Sequence, residues 1–476
     1  MLQPHRFHPS ILRECDIRGV VGETLSAADA AAAGSALVKL ARRIRACAQP
    51  YIAVARDSRL SSPELEAQVI AGIEAQGGRV LCLGCGPAPL LYFATHSLPI
   101  DAAIIVTASH NPKSHNGFKM LVGTEMVHGA LLKQLAALAE SGGGESGGMA
   151  SGGMQPEGLR TFIDLAPAYI DRLAASLAGT DTSHLSIGWD AGNGAAGNIL
   201  RQLTQRLPGC HVLINADPDG NFPAHHPDPA EPANLRQLQH LVISQELDLG
   251  IAFDGDGDRI GAVDAQGRIV CGDQLLAILS RDVLAAQPGA TVIADVKSSQ
   301  TLFDEIARLG GRPLMWKTGH SFIKTKMMET GAKLAGEMSG HIFFADEYFG
   351  YDDALYAAIR LLRTIGGSRL SLAQLRDGLA PVAHTPELRI PCSDTGKFAV
   401  VRRVIDTLQR EGADIDLTDG VRVRRGDGWW LLRASNTQAA LVVRAEAPSA
   451  AQLSLLLAEL RTYLADEAIP LDAAAA

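Results

Sequence analysis

The sequence lacks long apolar segments. No run of about 18 consecutive apolar residues, the length that a helix needs to cross a bilayer, occurs among its 476 residues. No apolar signal core follows the first residues, which read Met1-Leu2-Gln3-Pro4-His5-Arg6. The sequence therefore predicts no membrane-spanning helix and no membrane partner.

Cysteine is also scarce. The seven cysteines are scattered and odd in number, which argues against a disulfide framework and favours a reducing, cytoplasmic location. Cys82 and Cys85 have the C-x-x-C spacing, but neither a second pair nor nearby histidines accompany them. We therefore expect no zinc or redox site there.

Positive charge does not dominate either. The net charge is −9, which argues against nucleic-acid binding as the main function. An anionic substrate would need a local cluster of basic side chains. The length predicts roughly three to four domains, and 47% hydrophobic residues supply enough apolar material for several cores.

The clearest candidate site is the hexapeptide Thr107-Ala108-Ser109-His110-Asn111-Pro112. The apolar residues 102–106 lead into it and predict a buried parallel strand. Pro112 prevents the strand from continuing, and open α/β sheets bind ligands at the carboxyl ends of their strands. The hydroxyl of Ser109 and the imidazole of His110 are therefore candidate functional groups, with a plain capping loop as the alternative.

Predicted strands alternate with helices over most of the chain. Strands at residues 52–55, 79–83 and 102–106 predict βαβ units and a mostly parallel sheet. The Gly- and Ser-rich residues 141–158 predict a linker. From Glu387 onward, hairpin strands and two helices indicate an α+β domain.

The glycine-rich residues 191–197 follow a predicted strand. Such a turn can cradle a phosphate, but it lacks the lysine of a P-loop. Close packing of a helix on the strand is the favoured interpretation of these glycines.

A strand ending at Phe253 runs directly into Asp254-Gly255-Asp256-Gly257-Asp258-Arg259. Alternate residues of an extended chain share one face, so we expect the three carboxylates to point the same way. Converging carboxylates repel one another unless a cation lies among them, and Mg²⁺ prefers oxygen ligands. An EF-hand is excluded because Arg259 and Ala265 stand where its glycine and its bidentate glutamate belong. A solvated acidic turn is the remaining alternative.

Two further segments carry polar groups in predicted loops. Residues 336–341 place Glu337, Ser339 and His341 at two-residue spacing, and Trp316-Lys317-Thr318-Gly319-His320 precedes a predicted helix. Either loop alone is compatible with a purely structural role.

The turn Arg433-Ala434-Ser435-Asn436-Thr437 joins two predicted strands. It offers a guanidinium, two hydroxyls and an amide, a set that suits a phosphate because arginine can bind phosphate oxygens bidentately. A plain hairpin turn is the alternative.

In their order, these motifs resemble those of the α-D-phosphohexomutase superfamily, specifically its bacterial phosphomannomutase/phosphoglucomutase branch. The matching strings are Thr-Ala-Ser-His-Asn-Pro at 107–112, Asp-Gly-Asp-Gly-Asp-Arg at 254–259, Gly-Glu-Met-Ser-Gly-His at 336–341 and Arg-Ala-Ser-Asn-Thr at 433–437. They span nearly the whole chain. Residues 316–320 and 336–341 resemble the mannose/glucose branch more than the glucosamine branch.

The resemblance implies an α/β fold with a heart-shaped architecture of four domains around a central cleft. Three related α/β domains with mixed sheets would comprise residues 1–157, 158–267 and 268–380. They would carry the phosphoserine, metal-binding and sugar-binding loops, respectively. An α+β domain, residues 381–476, would carry the phosphate-binding loop.

The resemblance also implies the reaction, which is the reversible interconversion of hexose 1-phosphate and hexose 6-phosphate. The hexose would be mannose and also glucose. A phosphoserine at Ser109 would donate its phosphoryl group to the free hydroxyl of the sugar phosphate. The 1,6-bisphosphosugar would then turn over and return a phosphoryl group from its other end. Mg²⁺ is the implied metal, glucose or mannose 1,6-bisphosphate the implied activator, and a monomer the implied state.

Residue roles follow from the same resemblance. Many relatives carry Tyr where this chain has Cys15, so an aromatic contact to the ligand is absent there. A lysine such as Lys119 can act as a base only if neighbouring positive charge lowers its pKa. The implied catalytic residues are Ser109, His110, Lys119, Arg18, Arg259 and His320; the implied substrate-binding residues are Lys297, Glu337, Ser339, His341, Arg433, Ser435, Asn436 and Thr437; the implied metal ligands are Ser109, Asp254, Asp256 and Asp258.

Three other functions, two catalytic and one non-catalytic, are compatible with part of this pattern. A phosphoglucosamine mutase would share most of the motifs. A metal-dependent sugar phosphatase would use the same serine and aspartates but would not need the Arg433 turn to hold a second phosphate. A non-catalytic binding paralogue is disfavoured because Ser109, Lys119, Arg259 and all three aspartates are intact.

Overall fold

The structure, a computed structural model, describes residues 3–141, 160–436 and 438–465. The chain divides into two compact units, one formed by Met1–Cys271 and Ser339–Ala373, the other by Gly272–Met338 and Gln374–Ala476. None of the helices in these described ranges combines the length and apolar character needed to cross a membrane. The linker was predicted at residues 141–158, of which residues 142–158 lie outside the described residues.

The first unit begins with a mixed α/β layer. Its sheet has the order β1-β5-β4-β2-β3-β7, with β6 paired to β5; β2, β3, β4 and β7 run parallel, and β5 is antiparallel to both β1 and β4. The elements are β1 (Ile17–Val20), α1 (Ala27–Arg45), β2 (Tyr51–Arg56), α2 (Ser62–Ala75), β3 (Arg79–Cys85), α3 (Ala88–Ser97), β4 (Ala102–Val106), β5 (His115–Val122), β6 (Glu125–Met126), α4 (Gly129–Glu140) and β7 (Arg160–Phe162).

Local sequence explains the start of this layer. Ser26 caps α1 by accepting the backbone N–H of Asp29, whose carboxylate accepts the N–H of Ser26 in return. All five residues of β4 are buried, which confirms the predicted buried strand. Strand β7 follows the predicted domain boundary at residue 157 yet pairs with β3 in the first sheet.

The same unit contains a second mixed sheet of order β12-β11-β10-β8-β9, in which β8, β9 and β10 are parallel and β11 is antiparallel. The chain reverses between Asp264 and Gly267, where the Gly267 N–H donates to the Asp264 carbonyl. The elements are α5 (Ala166–Ala175), β8 (Ser186–Asp190), α6 (Gly197–Thr204), β9 (Cys210–Ile214), α7 (Arg236–Ser244), β10 (Leu249–Phe253), β11 (Ile260–Asp264) and β12 (Ile269–Val270).

The chain from residue 272 forms a third α/β segment, whose strand β13 pairs in parallel with β14 and β15. Its elements are α8 (Gly272–Ala286), β13 (Thr291–Asp295), α9 (Gln300–Arg308), β14 (Arg312–Trp316), α10 (His320–Thr330), β15 (Leu334–Gly336), β16 (Ile342–Phe344), α11 (Ala354–Ser368) and α12 (Leu372–Asp377). Helix α11 belongs to the first unit, where it packs on α5.

The C-terminal segment is α+β, as predicted. Its antiparallel sheet has the order β17-β22-β21-β20-β19, with β18 paired to β22, and helices α13 and α14 share its apolar core. The elements are β17 (Ala383–His384), β18 (Leu388–Pro391), α13 (Gly396–Arg410), β19 (Ile415–Asp416), β20 (Val421–Arg425), β21 (Gly428–Ala434), β22 (Ala440–Ala447) and α14 (Ala450–Ala465).

Two adjacent glycines of α11 provide a test of its packing. A Cβ on Gly366 would lie 2.7 Å from Thr180 Cγ2 and 3.0 Å from the Asp181 carbonyl, whereas a Cβ on Gly367 would meet nothing within 4 Å. We expect Gly366→Ala to destabilise the protein by about 1–3 kcal/mol through overpacking. Gly367→Ala should stabilise it by about 0.5–1 kcal/mol, because alanine restricts the unfolded chain. Thermal unfolding of both variants checks this; equal midpoints would contradict the packing described.

Candidate active site

The loop after β4 holds Ser109 in an unusual conformation. Its φ is +50°, and its backbone N–H donates to Thr107 Oγ1 at 2.9 Å. The Ser109 hydroxyl donates to Asp254 Oδ2 at 2.5 Å and lies 3.0 Å from Nδ1 of His110. The hydroxyl therefore faces an acidic group of another loop, which a plain capping role does not require.

The acidic loop brings its three carboxylates together by a turn. Residues 254–258 lie outside β10, with a turn at 255–256, so the predicted extended conformation was wrong. Asp254 Oδ1 accepts the backbone N–H groups of Asp258 and Arg259 at 3.0 and 3.1 Å, which bends the chain around that carboxylate. One oxygen from each of Asp254, Asp256 and Asp258 lies within 4.8 Å of the others. The predicted convergence of the three side chains is therefore confirmed.

These three carboxylates are fully buried, which excludes a solvated acidic turn. Burial, followed by repulsion from Asp258 and Asp256, raises the pKa of Asp254 well above its usual value. Three anions this close cannot all remain charged without compensation. The site consequently favours a cation.

Lys119, on β5, supplies one compensating charge. Its Nζ donates to Asp256 Oδ2 at 2.8 Å and also to Asp258 Oδ2. Burial alone would lower the pKa of Lys119, but these two carboxylates raise it well above its usual value. Lys119 is therefore a charged ammonium group in this structure. A lysine acts as a base only if its pKa is lowered, and here the neighbouring carboxylates raise it.

The acidic loop also retains acceptors suited to a metal ion. Asp256 Oδ1 and Asp258 Oδ1 are buried and have no hydrogen-bond partner within the described ranges. Buried carboxylate oxygens without donors are costly unless something binds them. Hard oxygen ligands in this number fit a divalent cation such as Mg²⁺, with Ser109 Oγ adjacent to them.

Arg259 and His341 are held together beside the acidic loop. They form an isolated antiparallel bridge, and Arg259 Nε donates to His341 Nε2 at 2.9 Å. His341 Nδ1 lies 2.9 Å from Asp352 Oδ2. Because Nε2 accepts a hydrogen bond, the proton of a neutral His341 belongs on Nδ1.

Arg18 and His110 flank Ser109. Arg18 donates to the side chains of Asn111 at 2.9 Å and Asp16 at 2.5 Å, which fixes its guanidinium against the serine loop. Burial, then the charges of Arg259 and Arg18, lower the pKa of His110 well below its usual value. His110 is therefore neutral at physiological pH.

The glycine-rich turn at residues 191–197 supports the acidic loop from behind. The Ala195 N–H donates to the Gly255 carbonyl at 2.9 Å, and a Cβ on Gly194 would lie 2.8 Å from the same oxygen. A Cβ on Gly197 would lie 2.1 Å from the Ala216 carbonyl. These contacts confirm the packing interpretation of the glycines.

In the second unit, Lys297 follows β13 in a largely anionic setting. Its Nζ lies 2.8 Å from Glu387 Oε2 and 3.7 Å from Asp295 Oδ2. Although burial lowers the pKa of Lys297, Glu387 and Asp295 raise it above its usual value overall. The lysine is therefore charged.

Asp419 joins two of the predicted loops within the second unit. Its Oδ2 accepts from Arg433 Nε at 2.9 Å and from the backbone N–H of Thr318 at 3.0 Å. Arg433 is buried, and its Nη2 has no hydrogen-bond partner among the described residues. A buried guanidinium nitrogen without an acceptor suits a phosphate oxygen. Asn436 Nδ2 donates to the Thr318 carbonyl at 3.4 Å.

The remaining predicted residues are distributed as follows. Ser435 directly follows β21, and its carbonyl accepts from Lys397 Nζ at 2.7 Å. Glu337 Oε1 accepts the Gly319 N–H at 2.7 Å, and His320 begins α10. Ser339 lies in the turn before His341, in the first unit. Thr437 is outside the described residues.

Sequence reasoning missed several contacts of this site. Thr107 donates to Asp256 Oδ2 at 3.1 Å, while Asp352 and Asp419 orient His341 and Arg433. Arg59 reaches the serine loop from the end of β2. Two of these residues had a signal in the sequence: Thr107 belongs to the hexapeptide at residues 107–112, and Arg59 ends a polar run, residues 56–59, that follows a predicted strand.

Models of one protein family match four successive parts of this chain. The phosphoglucomutase/phosphomannomutase alpha/beta/alpha domains I, II and III match residues 10–136, 167–267 and 271–382, and the C-terminal domain of that family matches residues 387–462. Together with the sheets described above, these matches confirm the predicted four-domain architecture.

Full-length relatives agree with these models. The chain is 41% identical to the phosphomannomutase/phosphoglucomutase of Pseudomonas aeruginosa, covering 97% of each chain. It is 39% identical to a phosphoglucomutase of Neisseria gonorrhoeae, covering 93% of this chain and 94% of the relative. The crystal structure of a phosphoglucomutase/phosphomannomutase family protein from Burkholderia thailandensis has a TM-score of 0.85 and 37% identity, covering 96% of this chain and 97% of that one. This chain therefore belongs to the phosphoglucomutase/phosphomannomutase family, within the bacterial branch of the phosphohexomutase superfamily.

Proposed function

We propose that this protein is a phosphomannomutase/phosphoglucomutase that interconverts hexose 1-phosphates and hexose 6-phosphates through a phosphoserine at Ser109. The observation that carries the proposal is the Ser109 hydroxyl, 2.5 Å from a fully buried carboxylate of a three-aspartate cluster. The relatives named phosphomannomutase/phosphoglucomutase and phosphoglucomutase support the same activity.

Phosphoryl transfer depends mainly on positioning and on neutralising negative charge. Ser109 Oγ exchanges the phosphoryl group with a sugar hydroxyl: the bond from phosphorus to Oγ breaks as the bond to the sugar oxygen forms. Ser109, Asp254, Asp256 and Asp258 would hold Mg²⁺, which neutralises charge on the phosphoryl oxygens. As the sugar hydroxyl loses its proton, Oγ regains one, and neutral His110, whose Nδ1 lies 3.0 Å from Oγ, orients the Ser109 hydroxyl.

Three basic residues of the first unit, Arg18, Arg259 and Lys119, have electrostatic and orienting roles. Arg18 and Arg259 stabilise the negative charge of the phosphoryl group in transfer. Lys119, held by Asp256 and Asp258, contributes an ammonium next to the metal ligands. His320 assists proton transfer at the sugar hydroxyl.

A second group of residues binds the rest of the sugar phosphate. Glu337 and Ser339 bind sugar hydroxyls, and Lys297 and His341 add polar and cationic contacts. Arg433 binds the phosphate that is not reacting, and its Nη2, which has no hydrogen-bond partner in the described part of the chain, supports this role. Ser435, Asn436 and Thr437 complete the phosphate-binding turn.

A coupled assay with Mg²⁺ and catalytic glucose 1,6-bisphosphate tests the proposal directly. We expect mannose 1-phosphate and glucose 1-phosphate both to yield the 6-phosphates, and the ratio of kcat/KM values gives the preference. Release of free phosphate without any 6-phosphate would indicate the phosphatase instead. If only glucosamine 1-phosphate were converted, the protein would be a phosphoglucosamine mutase. If no sugar phosphate were converted, the protein would be a non-catalytic binding paralogue.

Arg433→Gln separates the mutase from the phosphatase further. Losing charged hydrogen bonds to a phosphate costs about 1.5–3 kcal/mol, so we expect KM for glucose 1-phosphate to rise roughly 10- to 100-fold. Arg410→Gln, at an exposed position of α13, is the matched control and should leave KM unchanged. An unchanged KM in Arg433→Gln would contradict the proposed phosphate-binding role of this turn.

Several properties belong to the same proposal. Mg²⁺ is the metal, and glucose or mannose 1,6-bisphosphate is the activator that restores the phosphoserine. The protein acts as a cytoplasmic monomer, with no nucleic-acid partner. Its domains comprise residues 1–157, 158–267, 268–380 and 381–476.

A further inference from the structure

Arg59 is a buried cation outside the sequence motifs of the site. It lies just after β2, its side chain is 0% exposed, and its Nε is 3.2 Å from Asp57 Oδ2. Asp57 Oδ1 accepts the backbone N–H of Arg59 at 3.0 Å and the hydroxyl of Ser62 at 2.5 Å. Burying a guanidinium is costly unless it is paired and hydrogen-bonded, so this placement requires specific partners.

Those partners are carbonyl groups of the loop that carries Ser109 and of His115, the first residue of β5. Arg59 Nη2 donates to the carbonyls of Ser109 and Asn111, each at 2.6 Å. Arg59 Nη1 donates to the carbonyls of Pro112 at 2.8 Å and His115 at 3.0 Å. The planar fork of arginine, with donors fixed relative to one another, can hold these four acceptors at once.

The Ser109 carbonyl is held from two sides. A Cβ on Gly255 of the acidic loop would lie only 2.5 Å from this oxygen, so the backbones of the two loops are in close contact. Ser109 also has a φ of +50°, a conformation that a non-glycine residue keeps only when its surroundings enforce it. Arg59 binds the carbonyl of this strained residue, and Thr107 binds its backbone N–H.

We propose that Arg59 is a positioning residue for phosphoryl transfer, which sets the Ser109 side chain against the Asp254 carboxylate by holding the Ser109 carbonyl. The guanidinium is too deeply buried to touch a substrate, so its effect passes through the loop. The Phe222 ring covers it, with the Arg59 Cζ 5.2 Å from the ring centroid. A displacement of about 1 Å at a reacting group lowers the rate about 100-fold. A shift of the Ser109 loop after loss of the Arg59 hydrogen bonds would therefore lower kcat.

This inference rests on the proposed mutase activity, and Arg59→Lys tests it. Lysine keeps the charge but cannot reproduce the fork of donors. In the coupled assay with saturating activator, we expect kcat to fall at least tenfold while KM for glucose 1-phosphate stays within threefold of wild type. Arg56→Lys is the matched control: Arg56 ends β2, pairs with Glu66 at 3.1 Å, and should behave as wild type.

The outcomes separate the two proposals. A wild-type protein without mutase activity contradicts the proposed function before any variant is compared. A fall in kcat of less than tenfold in folded Arg59→Lys, or a rise in KM of more than threefold, overturns the positioning role. If Arg59→Lys does not fold, Asp57→Asn decides, because it removes the carboxylate that lies 3.2 Å from Arg59 Nε and so lets the guanidinium shift away from the carbonyls of the serine loop. A tenfold fall in kcat at unchanged KM then supports the role, and a smaller fall overturns it.

Discussion

Replacing Ser109 with alanine is expected to abolish hexose phosphate turnover. The hydroxyl oxygen is the atom that carries the phosphoryl group, and no other hydroxyl can take its place in the bond to phosphorus. Losing a nucleophile removes the covalent route, so we expect kcat to fall by about four orders of magnitude or more. The measurement is the coupled assay, together with transfer of labelled phosphate from glucose 1,6-bisphosphate to the protein.

The fold should survive this substitution. Ser109→Ala removes the hydrogen bonds to Asp254 and His110 but no packing, at a cost of about 1–3 kcal/mol. Ser114→Ala is the matched control, because Ser114 is an exposed serine only five residues along the same loop. We expect that variant to retain full activity and to accept labelled phosphate. Normal turnover in Ser109→Ala would exclude the phosphoserine mechanism.

Replacing Asp256 with asparagine is expected to have the next largest effect. Asp256 is fully buried, its Oδ1 has no partner among the described residues, and its Oδ2 accepts from Lys119 and Thr107. Asparagine keeps the shape but loses the charge and one oxygen ligand. We expect the affinity for Mg²⁺ to fall by about two orders of magnitude or more, and kcat to fall with it.

Isothermal titration of the protein with Mg²⁺ measures this effect without depending on catalysis. Asp217→Asn is the control, since the Asp217 side chain is 87% exposed and should not alter metal affinity. Removal of the metal with a chelator should abolish wild-type turnover, and adding Mg²⁺ back should restore it. An Asp256→Asn protein that binds Mg²⁺ as tightly as wild type would contradict the metal site.

The sequence was most informative where a few neighbouring residues carry the chemistry. Asp254, Asp256 and Asp258 are close along the chain, and their predicted convergence is confirmed, although it was argued from an extended conformation. The extended conformation assigned to them was wrong because Asp254 Oδ1 accepts two backbone N–H groups of its own loop. Such a side-chain contact to the backbone leaves no periodic signal in the sequence.

The sequence by itself determined the family, the buried strand β4 with the serine loop after it, and the α+β character of the C-terminal segment. These features depend on residues that are adjacent in the chain or repeat with the period of a strand or helix. Only the tertiary structure decided that Lys119 neutralises Asp256 and Asp258, that Asp419 orients Arg433, and that Arg59 supports Ser109. Lys119 and Asp256 are 137 residues apart, and Arg59 and Ser109 are 50 apart. Folding brings such partners together through the pairing and packing of whole strands and helices, which no local pattern records.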